Sequence, residues 1–399
     1  MGMISVDEAI AAIRGTLERL PAEEVPLERA PRRVLAEPVV ARMSQPPFNA
    51  SAMDGYAVHF EDVHHVGAAL DVVGVSSAGE GFHRPLLRGA AVRIFTGAPL
   101  PDGADHVLIQ EQAEAARDKV VVKTPQSRSQ NVRNLGVDFA EGAELAAKGA
   151  LLEGPALALI AAGNVPSVRV TRRPRVALIA NGDELVPPGG RLRHDQIICS
   201  IPYGLSPMIE AWGGEAAFIG IARDDKESIR RLAEEARDFD LIVPIGGASV
   251  GDRDYMRPVF AELGFEPIFE KVSVKPGKPT WFSVKGRTAV IGLPGNPASA
   301  LVTARLFLKS AIERLSGLSV SGGDVFGART SIAIKENGAR ETYLRARVAE
   351  SADGARIVTP FDNQDSSLLS VMARSNALIR RQGGAPATAA EHLVTCLAL

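Results

Sequence analysis

The chain is short of cysteine, aromatics, charge imbalance and long apolar runs, and each shortage removes a class of function. Cys199 and Cys396 are its two cysteines. They match no metal-ligand spacing, so both are expected to be buried thiols in a reducing compartment, and a metal would have to rest on oxygen ligands. Aromatics make up 5% of residues, too few for a base-stacking nucleic-acid surface. Lys and Arg number 45 against 47 Asp and Glu, a net charge of −2 with no basic block, and no nucleic-acid partner is expected. No apolar run reaches membrane-spanning length. The N-terminus shows no basic segment followed by an apolar core, and Val6 stands where a myristoylation motif needs Ser or Thr. The expectation is a cytoplasmic protein with no membrane association.

What is present is an ordinary globular composition, 46% hydrophobic and 23% charged over 399 residues, with room for several domains. The stretch from Pro174 to about Leu315 alternates strand and helix. Apolar runs without polar alternation, Arg175–Ala180, Asp240–Ile245 and Thr288–Ile291, read as strands buried on both faces. Pro202–Trp212, Lys226–Asp238 and Tyr255–Leu263 read as helices between them. The fold class is therefore α/β, with a central doubly wound, mostly parallel sheet. In such a sheet the ligand lies beyond the carboxyl ends of the strands, where the chemistry-bearing loops of this chain stand.

The flanks read differently. Ser5 and Glu8 form a capping box ahead of an amphipathic helix (Val6, Ile10, Ile13, Leu17, Leu20) that Pro21 ends, and Pro26–Val40 reads as extended. Short apolar runs at Leu70–Val75, Ala91–Phe95, His106–Ile109 and Lys119–Val122 suit a small barrel or sandwich, and a helix returns at Gly154–Ala162. Residues 46–140 are thus expected to be a β lid domain inserted into a scaffold of residues 1–45 and 141–173. The α/β domain spans 174–317. After a Gly/Ser-rich linker at Ser319–Gly327, residues 325–399 form a small C-terminal β domain with strands at Ser331–Lys335, Tyr343–Val348, Arg356–Val358 and Ala377–Arg380.

Five loops carry chemistry. Gly295-Asn296-Pro297 puts an N-cap and an N1 proline before a long helix, Ala298–Leu315; alone it is either a well-capped helix or an anion site. Lys275-Pro276-Gly277-Lys278-Pro279 presents two cations on a stiffened turn, which favours the anion site. Gly246-Gly247-Ala248-Ser249-Val250-Gly251 can cradle phosphate oxygens. Asp252 and Asp254 follow it, while Glu184 and Asp224 end neighbouring strands, offering carboxylates for Mg2+. His64-His65 reads as an exposed loop pair and His106 as a strand residue.

These motifs, in this order, resemble the molybdopterin molybdenumtransferase family, bacterial MoeA and the gephyrin E domain. The resemblance rests on Asn49–Ala57, Phe95–Pro99, Asn131–Asp138, Gly182–Leu185, Gly246–Tyr255, Lys275–Pro279 and Gly292–Ala300. It implies a transferase of molybdenum cofactor biosynthesis that inserts molybdate into adenylylated molybdopterin with Mg2+, releasing AMP. It also implies a homodimer whose lid region completes the partner's site. By the same resemblance Asp254, Glu184 and Asp224 are cleft carboxylates, with Asp254 and Glu184 holding Mg2+. Asp54, Thr96 and Asp138 come from the lid, and Lys271, Lys275 and Lys278 are basic positions. Arg345, Ser299 and Ser367 contact molybdate, and Gly246, Gly247, Ser249, Gly251, Gly295 and Asn296 line the ligand site. Three positions depart from the pattern: Val137 replaces an acid, Asn181 a threonine, and Cys199-Ser200-Ile201 a polar triplet. The departures at Val137 and Ile201 keep a non-catalytic molybdopterin-binding carrier or scaffold open, and the shared central fold admits the adenylylating enzyme of the preceding step.

Overall fold

The computed structural model describes residues 2–127, 131–247, 255–318 and 324–399. Its centre is a six-stranded sheet in the order Glu215–Ala222, Arg175–Asn181, Leu241–Ile245, Thr288–Gly292, Trp281–Lys285, Glu266–Phe269. The first four strands are parallel, and the last two join antiparallel. Arg175–Asn181 is buried at every position after the first, and Leu241–Ile245 throughout. Helices Ile201–Ala211 and Pro297–Thr303 cover one face, and Lys226–Glu235 and Met256–Glu262 the other. That double cover is why these strands read as unbroken apolar runs: each Ile, Leu or Val taken from water contributes about 1.5–3 kcal/mol.

The antiparallel edge was not foreseen. Trp281–Lys285 turns back on Thr288–Gly292 through Gly286-Arg287, with Lys285 opposite Thr288. It matters because it brings the start of one strand and the end of another, Trp281 and Phe269, to the edge where Gly292 ends. The Glu270-Lys271 and Lys278-Pro279 loops therefore join the strand-end crevice.

The expected long helix is one rod with a defect: α-helix over Pro297–Thr303, a π-helical segment over Ala304–Leu308, then α-helix to Ser316. The first helix forms with its capping box, but covers only Val6–Thr16; Leu17 and Leu20 follow it as buried non-helical residues, so Pro21 is not what stops it. Val6, Ala9 and Ile13 pack into the central core. The Pro26–Val40 stretch holds a 3-10 turn at Leu27–Arg29, and the strand before it, Ala22–Pro26, pairs antiparallel with Ser167–Thr171.

The N-terminal β region is one six-stranded mixed sheet with apolar clusters on both faces. In the C-terminal region Ser331–Lys335 is not a strand; Ile334 makes a single bridge to Thr388. The strand before it, Val325–Thr330, pairs instead with Leu393–Ala398. Pairing of Glu341–Glu350 with both Arg356–Pro360 and Ala377–Arg381 closes a small barrel. Tyr343, Leu378 and Leu397 of this barrel share the core of the central domain, so the two are packed together beside the crevice. Among the described residues no helix is long and apolar enough to cross a membrane.

Candidate functional site

Three parallel strands end at one point. A Cβ on Gly246 would lie 2.8 Å from the carbonyl oxygen of Asn181, and one on Gly295 would lie 3.4 Å from the Cα of Gly246. Gly246 also has a φ of +92° and Gly247 one of +62°, a region that favours glycine. Only bare backbone lets these loops approach so closely. They make the floor of a cavity of about 730 Å³.

Its walls bring together Glu184, Lys271, Lys278, Asn296 and Ser367 from loops far apart in sequence. Cys199 and Ile201, with Ile197 and Ile198, form an apolar side. Cys199 and Cys396 are both free and buried, and burial pushes the Cys199 thiol up, so it stays protonated. Arg257 and Glu270 also line the cavity. Sequence reasoning missed both, since neither belongs to a motif; only the sheet-edge geometry carries them in.

A second cavity of about 440 Å³ adjoins the first and shares Lys278, Pro279, Pro294 and Asn296 with it. Lys275, Lys278, Arg340 and Arg345 supply four cations to its wall and Asp365 one carboxylate, with Ser299 at its base. The Lys275 and Lys278 ammonium groups have no carboxylate partner among the described residues. The turn between them is pinned: a Cβ on Gly277 would lie 2.1 Å from Cγ2 of the fully buried Thr303, and Thr280 Oγ1 donates to the Gly277 carbonyl at 2.8 Å. Glycine is required there for the loop to lie on the helix.

Arg345 is the unusual member, with 1% of its surface exposed. One terminal nitrogen donates to the Asp365 carbonyl at 3.2 Å, while its Nε has no partner. Burial lowers the affinity of this guanidinium for its proton, and the Asp365 carboxylate opposes that only in part. Arg340 donates to the Val274 carbonyl at 3.3 Å. It was missed as a candidate although it lies five residues before Arg345, because a lone arginine at a strand entrance carries no motif.

Asn296 occupies the N-cap position but makes no capping bond; its Nδ2 donates to Ser366 Oγ at 3.0 Å. The Ser366 carbonyl instead accepts from Ala298 N–H at 2.9 Å. The helix start is thus tied to the 364–367 loop, where Asp365 accepts from the Ser367 N–H and hydroxyl at 2.8 and 2.7 Å.

Asp224 follows the strand end at Ala222 but does not line either cavity. Its carboxylate accepts a short hydrogen bond from Asn181 Nδ2, and its N–H donates to Asp183 at 3.3 Å. Asp54, Thr96 and Asp138 stand apart, in the N-terminal β region. Asp54 Oδ1 accepts from the Thr96 N–H and hydroxyl at 2.8 and 2.9 Å, and these bonds, first the N–H, hold its carboxyl below the usual aspartate range. Asp138 is exposed, and its N–H donates to the Gln45 carbonyl at 3.0 Å. Ser249, Gly251 and Asp254 lie outside the described residues. Among the described residues no group of three acidic, His or Cys side chains is set to hold a metal.

A doubly wound α/β domain with a strand-end crevice, a cation-lined cavity beside it and two flanking β units defines a multidomain protein built around a small-molecule-sized site. Comparison with known proteins narrows this. Residues 4–163 match the MoeA N-terminal region (domain I and II), residues 177–314 a probable molybdopterin binding domain, and residues 327–392 the MoeA C-terminal region (domain IV). A molybdopterin molybdenumtransferase of Nostoc sp. is 36% identical over 331 residues, covering 81% of this chain and 76% of its own length. One from Haemophilus influenzae is 32% identical over 384 residues, 94% of each. The solved structure of the molybdopterin biosynthesis MoeA protein from Pyrococcus horikoshii superposes with a TM-score of 0.85 at 30% identity, over 100% of this chain and 99% of that one. The chain belongs to the molybdopterin molybdenumtransferase family.

Proposed function

We propose that this protein inserts molybdenum into molybdopterin, taking adenylylated molybdopterin and molybdate and releasing AMP. The observation that carries the reading is the pair of adjoining cavities sharing Lys278 and Asn296. The larger, at about 730 Å³, has the size and mixed lining of a cofactor site. The smaller is a cationic compartment for a tetrahedral oxyanion. A transfer reaction needs donor and acceptor held side by side, and a shared wall does that.

In this reading Lys275, Lys278, Arg345 and Ser299 bind molybdate, with Ser367 at the mouth. The donor-rich wall suits a dianion, and the unpartnered Arg345 Nε becomes satisfied when the oxyanion arrives. Ser249 and Gly251 hold phosphate oxygens through backbone N–H groups. The Gly246 N–H is already taken by the Leu293 carbonyl at 3.0 Å, so Gly246 and Gly247 shape the floor with Gly295 and Asn296, and Lys271 faces the anhydride. Mg2+ keeps several waters and takes only one or two carboxylates along with substrate phosphates. Glu184 on the cavity wall and Asp254 meet that requirement. Bound there, the ion supplies neutralisation of pyrophosphate charge.

Asp54, Thr96 and Asp138 act in a homodimer, presented to the crevice of a second copy. Met53, Phe95 and Val137, their immediate neighbours in the chain, are exposed apolar residues, the kind of surface a partner covers. The test is AMP release from adenylylated molybdopterin and Mg2+, with and without molybdate, for wild type and Asp254→Ala. Molybdate-dependent release lost in the variant is expected. Tight binding without release from the wild type would mean a carrier, and the apolar wall at Cys199 and Ile201 would be its cause.

A further inference from the structure

We infer that Asn181, not Asp224, meets the ligand at the cavity floor, and that Asp224 is a positioning residue acting through it. The inference deepens the proposed function by naming a contact within that site.

Asn181 ends a fully covered central strand, and its residue is 7% exposed, yet it lines the large cavity. Asp224, from the neighbouring strand, does not. The two are joined by the short bond from Asn181 Nδ2 to Asp224 Oδ1. A carboxylate accepts hydrogen bonds and does not donate them, so the amide nitrogen must face Asp224 and the amide oxygen must turn the other way. The chemistry of the partner, rather than the placement of two similar atoms, fixes the orientation.

The oxygen so aimed lies against Gly247. A Cβ there would be 3.2 Å from Asn181 Oδ1 and 2.9 Å from Met256 Cγ. With glycine at that position no side chain from residue 247 covers the oxygen. No described residue donates to it. An amide oxygen at the cavity lining, with no donor among the described residues, is an acceptor that a ligand donor can use. The ligand group it takes is an N–H or O–H donor of the pterin nucleotide, since a phosphate oxygen would be repelled. The Asp224 carboxylate is engaged within the protein and acts by holding the amide in one of its two orientations.

Two measurements test this. In protein labelled at asparagine, the Asn181 side-chain amide signal is expected to move on Asp224→Ala while the other asparagine amides stay put. An unmoved signal overturns the inference, and this readout needs no ligand. The second is the Kd of adenylylated molybdopterin for wild type, Asp224→Asn, Asn181→Asp and the two substitutions together. Asp224→Asn lets the amide take either orientation and is expected to weaken binding about tenfold, roughly one hydrogen bond. Asn181→Asp sets two carboxylates against each other and is expected to weaken it at least as much. The double exchange restores a donor–acceptor pair with an oxygen toward the cavity, and binding within about threefold of wild type is expected. A double variant as weak as Asp224→Asn would mean that Asp224 itself touches the ligand, and the inference fails. No binding by the wild type would instead sink the transferase reading, leaving the amide signal to decide this one.

Discussion

Arg345→Met separates an oxyanion-binding guanidinium from a structural one. The side chain is 1% exposed, its Nε is unpartnered, and its one side-chain bond is to a carbonyl, at 3.2 Å. Burial disfavours its charged form. Replacing such a group by an apolar chain of similar length removes a desolvated charge and leaves no carboxylate orphaned, so stability should change by about 1 kcal/mol or less. Oxyanion binding should respond very differently. Two charge-assisted hydrogen bonds at about 1.5 kcal/mol or more each give roughly 3 kcal/mol, a Kd weakened on the order of 150-fold. Titration calorimetry with molybdate measures the second effect and thermal unfolding the first. Saturating molybdate at about 100 times its Kd should also stabilise the wild type by roughly 2.7 kcal/mol and the variant hardly at all. A Kd within about threefold of wild type would refute the assignment. So would a loss of about 3–5 kcal/mol in stability, the mark of a broken buried pair.

Three further expectations follow from the same geometry. Gly277→Ala puts a Cβ 2.1 Å from Thr303 Cγ2 at a φ of +109°; it should cost about 1–3 kcal/mol in urea unfolding and weaken molybdate binding with it. Thr96→Val removes the hydroxyl bond to Asp54, so a carboxyl-detected titration should show the Asp54 pKa rising toward the ordinary aspartate value. The sign follows from linkage: a depressed carboxylate contributes stability above its unfolded pKa and loses it as pH falls through the folded one, so the variant should lose that acid-side contribution at a higher pH. Ser5→Ala breaks the capping box in which Ser5 Oγ accepts from Glu8 N–H at 3.2 Å, and should cost about 1 kcal/mol in thermal unfolding without changing ligand affinity.

The parallel core was legible because strands such as Arg175–Asn181 are covered on both faces, which writes an unbroken apolar run into the chain. The antiparallel strand Trp281–Lys285 was not legible. It follows a proline-rich loop and is too short for its pattern to stand out, yet it delivers Lys278 to the crevice. At the site, Lys275 and Lys278 were visible as motif residues on a proline-stiffened turn, and Asn296 as one at an N-cap position. Arg257, Glu270 and Arg340 were not, because their convergence depends on which strand ends become neighbours. Asn296 shows a subtler limit: its position was an N-cap, but a serine from residue 366 competes for its side chain, and no local rule contains that partner. Asn181 likewise read as a departure from a pattern and becomes interpretable only with Asp224 beside it.

The central claim is tested most directly by counting molybdenum and AMP in the same reaction. Adenylylated molybdopterin, Mg2+ and molybdate are incubated with the wild type, and pterin-bound molybdenum and free AMP are measured over one turnover. The account predicts one molybdenum gained per AMP released, with both lost together in Lys275→Gln. AMP released at an undiminished rate with no molybdenum on the pterin would contradict it.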